Sequence, residues 1–264
     1  MITALIYKKD PMHSRLALLV CLAALSGQTL AAPDEIQVYD DELNSPGAFG
    51  IELHSNYVLS GSRTPAYSGE TPTNHVLQVT PEFSYGINKQ WEAGLYFPPL
   101  ALTPGGKIDV NGLRPRLKYI APKEGEEGFF WGVNIEAGYF SRRVSESHWA
   151  GEIRPILGYR SGSWTTVVNP ILDFSLSGNV PRTPEFAPCI KVSHQLNEEL
   201  AIGLEHYAAL GPINHPLPAH EQARSTFVVA DWKYKGYDLN FGTGYGNRQN
   251  GDRGIVKLIL ALPL

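Results

Sequence analysis

Charged side chains recur at every second position in several stretches of the sequence. Arg114, Arg116 and Lys118 follow this spacing, and Glu152 and Arg154 repeat it. Residues two apart lie on the same face of a β-strand, so each group forms a row of charges. Such rows select solutes by charge in a pore, or pair with opposite charges on neighbouring strands. The candidate functional residues of this kind are Glu52, Arg114, Arg116, Lys118, Glu136, Glu152, Arg154, Asp173 and Glu205.

The elements that carry these charges are predicted by alternation over about ten residues, the length of a tilted membrane strand. The opposite face of the same runs is apolar, as at Trp131, Val133 and Ile135. An apolar outside and a polar inside favour a membrane barrel, because the core of a soluble sandwich would require all these charges to be paired. The twelve runs extend over 49–59, 76–85, 91–100, 110–119, 129–140, 149–159, 164–176, 185–194, 200–209, 226–234, 237–245 and 255–262.

The connectors between the runs alternate in length. Segments 61–75 and 210–224 are examples of the long connectors, and 86–90 and 235–236 of the short ones. Short turns at one end and long loops at the other are typical of bacterial outer-membrane barrels. Tyr or Trp residues flank four of the five short connectors, which predicts an aromatic girdle at the periplasmic interface. The predicted fold class is all-β: a twelve-stranded antiparallel up-and-down outer-membrane barrel.

A unit of proline, any residue, an apolar residue, any residue and tyrosine occurs three times. It spans 81–85, 115–119 and 155–159, and Pro188 resembles a degraded fourth copy. In a barrel the proline and the tyrosine of each unit lie on the lipid face. Proline cannot donate a ladder hydrogen bond, so we expect a bulge or a locally wide strand separation at Pro115 and Pro155.

Residues 1–32 are predicted to be a signal peptide. Basic residues precede an apolar run at 16–25, and small residues follow at 29–32. The run is short for the alternative, a single membrane anchor. Removal of this segment takes away three basic residues and one acidic residue, which leaves 19 Lys and Arg against 25 Asp and Glu and a formal charge of −6. This negative charge argues against nucleic-acid binding. Cys189 would then be the one remaining cysteine, so no intrachain disulfide is expected.

Residues 33–47 are predicted to be a periplasmic N-terminal lead before a transmembrane β-barrel at 48–264. The lead carries five carboxylates: Asp34, Glu35, Asp40, Asp41 and Glu42. It is either a disordered acidic segment or a plug that folds back into the periplasmic mouth and pairs with basic lumen residues.

A resemblance to a known family is found in four stretches of the sequence: "EIQVYDDELNSPGAFGIELHSNY", "GEIRPILGYR", "NPILDFSL" and "EFAPCIKV". The chain resembles the uncharacterised proteobacterial outer-membrane β-barrel proteins of the phenol meta-pathway putative transporter group. The resemblance covers the chain after the signal peptide. It implies an exported barrel in the outer membrane of a Gram-negative bacterium and passage of a small, hydrophobic compound. The expected partners are outer-membrane lipid, the barrel assembly machinery and a small-molecule solute.

The sequence therefore favours a channel or transporter. The alternatives are a structural barrel with a closed lumen and a lipid-modifying outer-membrane enzyme. The enzyme hypothesis rests on His54 and Ser55, but adjacent strand residues point to opposite faces, so the histidine cannot act as the base for the serine. We expect no catalytic residue and no cofactor. The loop histidines lack the spacing of metal ligands, so no metal is expected either: His75, His148, His215 and His220.

Overall fold

The computed structural model describes residues 35–247 and 252–264. They form twelve strands, each paired antiparallel with the strands before and after it, and β12 pairs with β1 to close the sheet. This confirms the predicted barrel. The strands are β1 (Phe49–Ser60), β2 (Leu77–Gly86), β3 (Trp91–Tyr96 and Leu100–Leu102), β4 (Ile108–Val110 and Gly112–Ile120), β5 (Gly128–Phe140), β6 (Trp149–Ser161), β7 (Trp164–Asn169 and Leu172–Ser175), β8 (Glu185–Phe186 and Cys189–Gln195), β9 (Leu200–Ala209 and Gly211–Pro212), β10 (Ala223–Tyr234), β11 (Tyr237–Gly246) and β12 (Gly254–Ala261).

The two faces of the wall differ as the alternation predicts. On β5, Trp131 and Ile135 are about half exposed, whereas Asn134 and Glu136 between and beside them are buried. An apolar outer face of this extent requires lipid around it. The chain is therefore an outer-membrane barrel of a Gram-negative bacterium. Within the part of the chain that the structure describes, no helix has the length and apolarity to span a membrane.

Aromatic side chains ring the end of the barrel that carries the short turns. Tyr119 lies between Trp91 and Trp131, with ring centroids 4.8 and 5.8 Å away. Trp232 stacks on Tyr234 at 4.9 Å beside another short turn. Such rings belong at a membrane–water interface, and the short turns identify this one as the periplasmic interface.

Two of the repeated prolines, Pro115 and Pro155, interrupt the sheet without shifting its register. Pro115 pairs with Leu95 on β3, but the ladder from β4 to β5 skips it. Pro155 pairs with Val133 on β5, but the ladder from β6 to β7 skips residues 154–156. A residue in an antiparallel strand directs its N–H to one neighbour only, so each proline disturbs one ladder. The register is unchanged across both interruptions, so neither contains a bulge. The ladder is instead unpaired at each proline, which agrees with the other expected outcome, a locally wide strand separation.

Candidate functional site in the barrel lumen

Residues 35–46, which we call the plug, lie inside the barrel. The Ile36 carbonyl accepts a hydrogen bond from Lys257 on β12, and the Tyr39 backbone bonds to Asn169 on β7. The Asn44 N–H donates to a Glu92 carboxylate oxygen on β3 at 2.6 Å. These strands lie far apart around the wall, and only a segment in the lumen can contact all of them.

Glu35 joins two arginines in the middle of the lumen. Its carboxylate lies 2.9 Å from the Arg114 guanidinium and 3.1 Å from that of Arg154. Each arginine also has a partner in the wall, Glu136 for Arg114 at 2.8 Å and Glu152 for Arg154 at 2.6 Å. The Glu35 side chain is 4% exposed. Charges this deeply buried are tolerated because they are paired.

Arg116 is the centre of a second network. Its guanidinium bonds to Glu82 and lies 2.8 Å from Glu92. His54 Nε2 lies 3.0 Å from the Glu82 carboxylate and 3.7 Å from that of Glu52. The ligand atoms of Glu52, His54 and Glu82 fall within 4.8 Å of one another, a spacing that suits a metal ion. Because the Arg116 guanidinium already neutralises Glu82, we interpret the group as a network of ion pairs.

A third network contains two lysines that were not among the predicted site residues. Lys257 Nζ lies 2.5 Å from Glu205, and both side chains are fully buried. Lys191 lies 2.7 Å from Asp231 and 3.7 Å from Glu205. The alternation that places Val256 on the outer face also places Lys257 on the inner face, so the inward direction of Lys257 could be predicted from the sequence.

Tyr39 of the plug contacts side chains of four strands, β3, β4, β6 and β7. Its hydroxyl bonds to that of Tyr96, and its ring lies under the Arg154 guanidinium, 4.3 Å from centroid to Cζ. Asn169 accepts from the Tyr39 N–H at 2.8 Å and donates to the Tyr39 carbonyl at 2.9 Å. Lys118 lies 5.1 Å from the ring and donates to the Glu42 carbonyl.

One part of the inner wall, beside the charged networks, is apolar. Val38 and Tyr39 pack against a buried cluster that we call the apolar patch. The plug therefore covers a hydrophobic surface that would otherwise face the lumen. The patch consists of Ile120, Phe130, Ile156, Val167, Ile171 and Cys189.

All nine predicted site residues point into the barrel, but they are not arranged as expected. The sequence predicts a ladder of opposite charges across strands β4 to β7. Arg116 does lie directly opposite Glu136, but the next direct partners, Glu136 with Glu152 and Glu152 with Asp173, are all acidic. The positive charges come from Arg114, which reaches Glu136 diagonally, and from Arg154, which bonds to Glu152 on its own strand. The plug adds a further carboxylate, Glu35, between these two arginines. Plug residues Glu35 and Tyr39 are absent from the predicted set, because alternation identifies faces only within strands.

His54 and Ser55, on which the enzyme alternative rests, are not arranged as a base and a nucleophile. His54 is buried and turned toward Glu82, whereas Ser55 lies half-buried on the outer face of β1. The wall of the barrel therefore separates the His54 imidazole from the Ser55 hydroxyl, so the histidine cannot take the proton of this serine.

No protein-family model matches the sequence, and no curated protein matches it. Among solved structures, the chain is similar to an outer membrane channel from Pseudomonas putida F1, at 12% identity and a TM-score of 0.57, over 86% of this chain and 99% of that chain. It also matches the translocator domain of autotransporter NalP from Neisseria meningitidis, at 11% identity and a TM-score of 0.45, over 95% and 94% of the two chains. The first comparison shows a shared barrel fold.

Proposed function

We propose that this chain is an outer-membrane channel for a small, hydrophobic compound, of the phenol meta-pathway putative transporter group, and that the plug closes it. The observation that carries the proposal is the apolar patch under the plug. A barrel whose lumen served only to be filled would need no hydrophobic surface beside these charged networks. A hydrophobic solute would need such a surface once the plug is displaced.

The way the plug is held supports a reversible closure. Its contacts are hydrogen bonds, ion pairs and apolar packing, and it continues directly into β1 at Gly47, whose N–H bonds to the Gly86 carbonyl. The plug can therefore leave the lumen as a unit without breaking the wall. The similar structure from Pseudomonas putida is described as a channel, which supports the same role here. Outer-membrane lipid, the barrel assembly machinery and the solute are its proposed partners.

The experiment compares uptake and conductance in two forms of the chain. We expect cells that express the full chain to take up radiolabelled toluene faster than cells without it. Deletion of residues 35–44 is expected to raise single-channel conductance in planar bilayers several-fold, because the charged lumen then fills with water. A deletion of equal length in the loop at 213–222 is the matched control. A lumen that conducts no ions after the plug deletion, together with no gain in toluene uptake by the full chain, would favour the closed structural barrel.

A further inference from the structure

The plug places a carboxylate and an aromatic ring on the same guanidinium of the inner wall. The Glu35 carboxylate accepts a hydrogen bond from Arg154 Nη1 at 3.1 Å. The Arg154 Cζ lies over the face of the Tyr39 ring, 4.3 Å from its centroid. Both plug side chains are buried, at 4% exposure each. These two residues therefore show which chemical groups this part of the lumen accommodates.

The two arginines that contact Glu35 divide their donors between the wall and the plug. Arg154 binds Glu152 through Nε and Nη2, at 2.6 and 3.1 Å, and directs Nη1 to Glu35. Arg114 lies 2.8 Å from Glu136 through Nε and reaches Glu35 through Nη2 at 2.9 Å. A solute that takes the place of the plug removes water from both nitrogens. It must offer an acceptor in exchange, because a buried donor without a partner is costly.

The surroundings of the Tyr39 ring favour an aromatic group in this position. Three cations lie near the ring, with distances from its centroid of 4.3 Å to Arg154 Cζ, 5.1 Å to Lys118 Nζ and 5.8 Å to Arg116 Cζ. Cations at such distances are attracted to the face of an aromatic ring. An alkyl chain offers them no such face. The ring also packs against the apolar patch, so an aromatic solute in this position removes apolar surface from water.

We propose that the lumen binds an aromatic carboxylate, with its carboxylate between Arg114 and Arg154 and its ring in the position of Tyr39. This inference rests on the proposed function, because the site is accessible only in a channel from which the plug has left. It narrows the hydrophobic compound to a ring joined to one carboxylate by a short chain, since both groups contact one guanidinium. Toluene fills the ring position but offers the arginines no acceptor. It therefore binds more weakly, because sites built around hydrogen bonds to a substrate reject analogues that lack the bonding group.

Competition between the solute and the plug tests this site. The reporter is Val38→Cys in the full chain, with Cys21 and Cys189 replaced by serine. Val38 is 5% exposed, so a thiol at this position reacts with a maleimide only when the plug has left. A solute in the position of Glu35 and Tyr39 binds the undocked form alone, and at ten times its Kd for that form it raises the labelling rate about tenfold. We expect this rise with 3-phenylpropanoate, and less than about a twofold rise with 3-phenylpropanol or propanoate, which lack the carboxylate and the ring respectively.

A paired substitution shows whether the arginines recognise the carboxylate. Arg114→Gln with Glu136→Gln removes one arginine together with its partner in the wall, so the net charge of the lumen is unchanged. We expect it to abolish the preference for 3-phenylpropanoate over 3-phenylpropanol, a ratio that a looser plug alone does not alter. The matched control is Arg142→Gln with Glu146→Gln, an arginine–glutamate pair 3.8 Å apart in the loop between β5 and β6, which should keep the preference.

The outcomes separate this inference from the proposed function. Equal labelling with 3-phenylpropanoate and with 3-phenylpropanol would overturn the carboxylate site. This comparison leaves every lumen charge unmodified, so it does not depend on the folding of the arginine variant. Uptake of toluene by cells that express the full chain would in that case leave the channel intact. No uptake of either toluene or 3-phenylpropanoate by those cells would overturn both.

Discussion

Replacement of Glu35 by glutamine is expected to loosen the plug. The Glu35 carboxylate is the one plug group that bridges two wall arginines, Arg114 and Arg154, at 2.9 and 3.1 Å. Glutamine keeps the shape and one acceptor oxygen but removes the charge. Both arginines then lie buried beside the docked plug with one fewer anion. In the undocked state they are hydrated, so the change acts against docking.

The magnitude follows from the burial of this group. Removal of one partner from a buried ion pair costs about 3–5 kcal/mol. The two arginines keep Glu136 and Glu152 as partners, at 2.8 and 2.6 Å, so the lower end of the range applies. A cost of about 3 kcal/mol corresponds to a roughly 100-fold larger undocked population, since each 1.4 kcal/mol is a factor of ten.

The rate at which the Cys189 thiol is labelled measures that undocked population. Cys189 is 2% exposed and lies in the apolar patch under the plug, so a maleimide reaches it only when the plug has left. In a Cys21→Ser background the labelling rate should follow the undocked fraction, provided that redocking is faster than the reaction. We expect Glu35→Gln to be labelled about 100 times faster than the unmodified plug.

The matched control for this assay is Glu42→Gln, in the same segment. The Glu42 side chain is 70% exposed and lies 3.5 Å from a similarly exposed Lys233, a surface pair worth about 0–1 kcal/mol. Its labelling rate should therefore rise less than about fivefold. Equal rates for Glu35→Gln and Glu42→Gln would refute the assignment of Glu35 as the main electrostatic anchor of the plug.

Two further changes test the periplasmic mouth and the inner wall. Burial alone would raise the pKa of Asp41, but the hydrogen bonds and charges of Arg160 and Lys123 lower this pKa below its ordinary value of 3.8. Ionised Asp41 therefore stabilises the fold above pH 3.8. This contribution is lost as the pH falls through the lowered pKa. Asp41→Asn should therefore reduce the unfolding free energy in urea at neutral pH by about 1–2 kcal/mol, and a difference from the wild type that persists at acidic pH would contradict this cause. Gly158 faces the Phe130 ring with no room for a Cβ, so Gly158→Ala should cost about 1–3 kcal/mol by tryptophan fluorescence in urea, and an unchanged midpoint would contradict the packing.

The strands could be predicted because a membrane barrel leaves little freedom in the pattern. Lipid on one side and charge on the other force alternation, as at Trp131 and Glu136 on β5. The details of pairing could not be predicted in the same way. The register between β2 and β3 shifts by one residue, from Glu82 with Tyr96 to Val79 with Leu100. Three prolines lie in this interruption, Pro81 on β2 and Pro98 and Pro99 on β3. The sequence shows those prolines but not which neighbour loses its ladder bonds.

The candidate site was predictable only as a set of inward-facing charges. Which charges pair depends on register and on side-chain reach, and both are properties of the closed barrel. Arg114 reaches Glu136 diagonally, although Arg116 is the direct cross-strand partner of that glutamate. The plug was harder still, because its residues follow no period. The sequence signal for Glu35 was the excess of acidic residues before the first strand. It indicated that this segment complements basic residues, but it did not identify which basic residues Glu35 contacts.

The energetics of the lumen favour a plug that docks specifically and still leaves. Buried ion pairs contribute little net stability, because the desolvation cost of the charges offsets most of their attraction. Their geometry is nonetheless demanding, and a misplaced plug would deprive Arg114 and Arg154 of the Glu35 carboxylate. An apolar plug of the same length would bind the patch more tightly but would likewise give these arginines no carboxylate. The charged plug therefore combines one docked position with a modest free energy of docking, and the proposed channel function requires both.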